Sequence, residues 1–123
     1  MANPNIVAVA NIYGKTVYDT DVAVTASAIV SNAASSGKIL KINSLIIANI
    51  DGAAAADITA TVRKAADGTV YSTLANTISV PADATLVVIS KDTSIYLEED
   101  MAIYLASSAA GDLSATCSYD EIS

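Results

Sequence analysis

The side chains in this sequence that could do chemistry are almost all carboxylates. Thirteen Asp and Glu stand against six Lys and Arg, a formal charge of −7, and there is no histidine. The missing imidazole removes Ser-His-Asp and Cys-His catalysis and the commonest metal ligand. Acidic side chains gather at Glu98-Glu99-Asp100 and again at Asp120-Glu121. Groups of this kind serve hard-cation binding or paired-carboxylate hydrolysis. Calcium asks for six to eight oxygens converging from several loops, so Glu98, Glu99 and Asp100 are at best a fragment of a metal site. A solvated, self-repelling turn that protects a sheet edge accounts for the same residues.

Three other groupings are weaker. Gly14-Lys15-Thr16 matches the end of a phosphate-binding loop, but the upstream glycine and the following helix are both missing. Ser35 and Lys38 have Ser-x-x-Lys spacing within a small-residue loop, without the helical turn that would let the lysine activate the serine. The lone cysteine, Cys117, cannot form an internal disulfide and reads as a small buried hydrophobe. Glycosidase chemistry would also want aromatic platforms, and the chain has six Tyr with no Trp or Phe. The sequence therefore predicts no catalytic residues and no cofactor. A pI near 4.1 argues against nucleic acid as a partner.

The elements that carry these side chains are short strands. Of 123 residues, 24 are Ala, so the core must come from 14 Ile, 11 Val and 7 Leu, a β-prone set joined by 11 Thr. The longest dense apolar run covers residues 45–50, far short of the roughly 18–20 residues that span lipid, so no membrane partner is expected. No secretory leader is visible at the N-terminus, which reads as a polar arm or frayed end over residues 1–5. One β-rich domain is expected over residues 6–123.

Within it, strands are predicted at residues 6–12, 16–18 and 22–30, with Val22, Val24, Ala26 and Ala28 on one parity. The run over residues 38–49 puts Leu40, Ile42 and Ile46 on one parity and Ile39, Leu45 and Ile47 on the other, so its second half is expected to be buried on both faces. Ile58, Ala60 and Val62 alternate with polar residues. Asp67-Gly68 supplies a tight reversal into residues 70–72. Short strands follow at 77–80 and 86–89. Ile95 and Leu97 lead into the acidic tip, and Met101, Ile103 and Leu105 return from it. Leu113, Ala115, Cys117 and Tyr119 share one face. Eight to ten short strands with no βαβ spacing predict an all-β, two-sheet antiparallel β-sandwich, either a jelly roll or an immunoglobulin-like arrangement.

Tyrosines are favoured where one end of a side chain is dry and the other wet, so Tyr13, Tyr18, Tyr96, Tyr104 and Tyr119 are candidate contact residues. Tyr96 and Tyr104 flank the acidic tip.

Five segments carry a resemblance: Asn11-Ile-Tyr-Gly14, Leu40-Lys-Ile-Asn-Ser-Leu-Ile-Ile-Ala-Asn49, Val80-Pro-Ala-Asp-Ala-Thr-Leu86, Ile95-Tyr-Leu-Glu-Glu-Asp100 and Ser118-Tyr-Asp-Glu-Ile122. Over nearly its whole length the chain resembles small virion structural proteins of marine tailed bacteriophages, including cyanophages. The resemblance rests on strand and turn signatures and carries no catalytic motif. It implies a Gly just before Asp100, where this chain has Glu99. It further implies a capsid decoration or cement protein on the virion surface, made in the host cytoplasm. Its partners would be other virion proteins, either the major capsid protein or neck or tail subunits. A homo-oligomer is expected, with a trimer preferred because capsid positions often have threefold symmetry. The alternatives are a neck or tail accessory protein, and a calcium- or carbohydrate-dependent receptor-binding module built on Glu98, Glu99 and Asp100.

Overall fold

The structure is a computed structural model that describes residues 3–123. Nine strands and one short 3-10 turn follow in order: β1 (Ile12–Asp19), β2 (Ser27–Asn32), β3 (Ile39–Asn49), β4 (Ala56–Lys64), β5 (Val70–Val80), β6 (Thr85–Ile89), the turn Lys91–Thr93, β7 (Ile95–Leu97), β8 (Met101–Ser107) and β9 (Leu113–Ile122). One sheet runs β1-β9-β3-β6, with β7 also beside β3, and the other runs β2-β8-β4-β5. All pairings are antiparallel.

The pairing is nested. β1 pairs with β9, β2 with β8, β3 with β6 and β7, and β4 with β5. Because β6 and β7 lie end to end along β3, they act as one interrupted strand. A long hairpin rolled into two sheets in this way is a jelly roll, which decides between the two sandwich topologies open at the sequence level.

The apex of the nest is the Asp67-Gly68 reversal between β4 and β5. Asp67 Oδ1 accepts from the Thr69 hydroxyl (2.7 Å) and the Thr69 amide (3.0 Å), and these two bonds hold the carboxyl below its usual range. Gly68 adopts φ +78°, and a Cβ there would meet only the Tyr104 hydroxyl at an ordinary 3.8 Å. Space is therefore available, and the cost of a side chain is conformational. Gly68→Ala is expected to lower stability by about 1 kcal/mol, measurable as a reduced urea midpoint with unchanged slope.

The core fills the space between the sheets with Ile42, Leu45, Ile47, Ile58, Ile103, Leu105, Leu113 and Cys117 among its buried members. Alternation in β9 places Leu113, Ala115, Cys117 and Tyr119 inward as the sequence indicates. Burial pushes the Cys117 thiol up to about 12, so it stays protonated and unreactive at neutral pH.

Several sequence expectations are corrected. Residues 6–11 form no strand, and β1 begins at Ile12. Only Val22 of the predicted row is buried; β2 starts at Ser27. Residues 70–72 and 77–80 belong to one strand, β5, broken by register shifts and by Thr77 at φ 47°. In β3 a bulge between Ile42 and Ser44 inserts one residue and reverses the parity. Leu40, Ile42, Leu45 and Ile47 consequently all face the core, while Ile46 is 36% exposed, so the second half of the strand is buried on one face only.

Candidate functional site

Glu98, Glu99 and Asp100 do not form a hairpin tip. They link β7 in the five-stranded sheet to β8 in the four-stranded one, because β7 finds its partner in β3 and not in its sequence neighbour. Their carboxylates diverge. Glu98 Oε1 accepts from Asn3 Nδ2 at 2.5 Å. Asp100 Oδ1 accepts from the Ala66 amide at 2.9 Å, while its backbone donates to Asn32 O (2.8 Å) and accepts from Ala65 N (3.0 Å). Asp100 thus clamps the turn of the β4–β5 hairpin to the end of β2, at φ 63°. Glu99 Oε2 is buried without a hydrogen-bond partner. Beside it lies a cleft of about 410 Å³ lined by Asn3, Tyr71, Glu98, Glu99 and Met101. Among the described residues no group of three or more Asp, Glu or Cys is placed to hold a metal ion. Of the residues proposed as an N-terminal arm, Met1 and Ala2 lie outside the described set.

The other motifs resolve into structural roles. Gly14, Lys15 and Thr16 lie within β1. Ser36 Oγ donates to Asn32 Oδ1 at 2.5 Å, and Lys38 Nζ reaches Glu121 Oε1 at 3.2 Å while Lys15 Nζ reaches Oε2 at 3.0 Å. The Lys15 hydrogen bond, joined by that of Lys38, holds the Glu121 carboxyl below its usual range.

Tertiary structure gathers carboxylates at a place the sequence does not announce. Asp21, Asp51 and Asp112 come from three separate turns to one end of the sandwich, where Asp21 Oδ1 accepts from Gly111 N at 2.7 Å. Burial, then the charge of Asp51 and a hydrogen bond shared with it, then Asp21, push the Asp112 carboxyl above its ordinary value. A carboxylate raised in the folded state destabilises that state while it is charged, and the penalty vanishes below the pKa of the unfolded chain. Asp112→Asn is therefore expected to raise the melting temperature at pH 7 and to leave it unchanged near pH 3, by thermal melts across that range.

The tyrosines separate by position. Tyr13 and Tyr18 stand exposed on β1, an edge strand, with Tyr18 at 74%. Tyr96 is exposed on β7 and Tyr71 on β5. Tyr104 is half-buried on the opposite sheet from Tyr96, with the Arg63 guanidinium 4.9 Å from its ring centroid. Tyr119 belongs to the inward row of β9 and is buried, so it is removed from the contact set. The sequence reading missed the aliphatic counterpart of the β1 tyrosines on the far side of the sandwich. Val70 is exposed at the start of β5, and Ile78 on β5 and Val87 on β6 are exposed beside a groove of about 360 Å³. Its signal was present in the charge-free stretch of residues 68–82.

Much of the apolar exposure of this molecule lies on sheet edges, and among the described residues its carboxylates gather in no metal-holding group. Such a surface can dock other proteins. No protein-family model matches the sequence, and no curated protein matches it. A solved structure of a Bacillus endospore appendage, from a family of disulfide-linked pili, is similar in fold: the TM-score is 0.51 at 17% identity, covering 99% of this chain and 98% of that one.

Proposed function

We propose that this chain is a non-enzymatic structural subunit of a bacteriophage particle, a decoration or cement protein that binds the repeating surface of the head. The observation that carries this reading is the placement of exposed large side chains, Ile12, Tyr13 and Tyr18 on one side of the sandwich and Val70, Ile78 and Val87 on the other, along strand edges. Modest contacts suffice for a protein of this kind, because many copies act together on a lattice. The acidic surface keeps it from the packaged genome. The sequence resemblance to virion proteins of marine tailed phages supports a place on the virion.

The fold-level similarity to a pilus is compatible with a role in assembly, since that protein is a polymer subunit. Disulfide linkage does not transfer, because the one cysteine here is buried in the core. Mass spectrometry of separated heads and tails tests the reading. Many copies per head are expected; a polypeptide found only in tails would replace the cement role with a neck or tail accessory role.

A receptor-binding reading draws on the cleft beside Glu99, where the Tyr71 ring stands near two carboxylates. Thermal melts with calcium or with simple sugars test it, since a ligand bound only by the folded state raises the midpoint. An unchanged midpoint in every case removes it.

A further inference from the structure

We infer that two copies of this chain pair across a two-fold axis at the β5 and β6 edges, in an interface centred on Ile78 and Val87. The inference concerns contact between copies: it assigns the Ile78 and Val87 side to self-pairing and leaves the β1 side, with Ile12, Tyr13 and Tyr18, to the virion contact proposed above, so a monomeric chain overturns the pairing without touching that reading.

β5 is an eleven-residue edge strand that, among the described residues, pairs only with β4, and β6 is the edge of the other sheet on the same side of the sandwich. Exposed edges are normally guarded by charge or proline. On the other side β1 follows that rule with Lys15 and Asp19, and the uncharged edge beside it, β2, is only six residues long. β5 and β6 contain neither charge nor proline, and across residues 68–90 the single charged side chain is Asp83, in the turn between them. The register shifts of β5 against β4 twist the strand but put no charge on its open side.

Charge selects the occupant. At a two-fold axis each residue faces its own copy or a close neighbour of it, so any charge in the patch would meet its like. In a chain of net charge −7 most faces would repel a second copy. The β5 and β6 side is where that repulsion is least, and apart from Asp83 in the turn at its end it offers no carboxylate to attract a basic partner.

Shape agrees with self-pairing. The floor of the groove is formed by Leu74, Leu86 and Val88, which pack against the core from within. Ile78 and Val87 rise from its rim at 42% and 53% exposure. A two-fold operation sets the rim aliphatics of one copy against the groove of the other, and a groove of about 360 Å³ admits a branched aliphatic side chain.

Sedimentation equilibrium of the full chain over a concentration series tests the inference. The wild-type chain is expected to approach twice its 12.5 kDa mass. Ile78→Lys and Val87→Lys, each placing like charges across the axis at an exposed position, are expected to weaken association about 100-fold while retaining the β-sheet circular dichroism signal. A monomer throughout the series, a trimeric mass, or a dimer that survives both lysines but dissociates with Tyr13→Lys would overturn it. Should a lysine variant lose its fold, amide exchange on the wild-type chain decides: β5 amides slower at high than at low concentration support the pairing, and equal rates refute it.

Discussion

Leu45→Ala is expected to lower the unfolding free energy by about 3–5 kcal/mol, while Ile46→Ala one position later costs less than about 1 kcal/mol. The contrast comes from the bulge between Ile42 and Ser44. Without it, the two-residue period would carry the inward row from Leu40 and Ile42 to Ile46. With it, Leu45 takes that place, fully buried between the sheets, and Ile46 turns toward solvent. Removing the isobutyl group of Leu45 leaves a cavity in a core of branched aliphatics that cannot easily collapse, since β-branched side chains have few alternative rotamers. Removing the outer side chain of Ile46 leaves no cavity. Urea and thermal melts of the two variants check the pair, with a melting-temperature loss of roughly 10 °C or more for the first. A larger loss for Ile46→Ala than for Leu45→Ala would mean that the bulge is absent and the strand is in register throughout.

Asn49→Ala is expected to cost about 3 kcal/mol, an effect belonging to a polar side chain in an apolar setting. The Asn49 amide is buried and donates to Val80 O at 2.8 Å and to Ala54 O at 2.9 Å, while its Oδ1 accepts from Asp51 N at 2.8 Å. One side chain therefore ties the end of β3 to the end of β5 and to the loop that leads into β4. Truncation strands two carbonyls, at about 1–3 kcal/mol for each buried group left unpaired. Asn49→Asp keeps the acceptor for Asp51 and loses both donations, so at neutral pH it is expected to be no more stable than the alanine variant. A stability near wild type for Asn49→Asp would show that the donations contribute little. The end of β2 repeats the device: Asn32 Nδ2 donates to Lys38 O at 2.9 Å and Leu97 O at 3.1 Å, and its Oδ1 accepts from Ser36.

These two asparagines also show where reading the sequence stopped. Each sits at the junction of a strand and a small-residue loop, which looks like ordinary loop punctuation. Their partners include Leu97, sixty-five residues from Asn32, and Val80, thirty-one from Asn49, and no local pattern records a contact of that separation. The same reason explains the acidic tip. Glu98-Glu99-Asp100 has the look of a hairpin turn, yet β7 and β8 belong to different sheets, since strand pairing is settled by nesting around the Asp67-Gly68 apex. Asp21, Asp51 and Asp112 are each visible as turn residues, and their convergence is not.

Local physics decided the class of the fold. Branched aliphatics at period two, turns at regular spacing and no helical stripe leave two stacked antiparallel sheets as the way to bury this chain, and the row from Leu113 to Tyr119 follows directly from the pleat. The absence of histidine narrowed the chemistry by composition alone. Only the tertiary structure chose jelly-roll order, placed the β3 bulge, buried Tyr119 while exposing Tyr18, and brought the β5 and β6 edges into one uncharged side. These depend on which distant strands become neighbours, and the free energy that selects them comes from packing across the whole core, to which each segment contributes only its share.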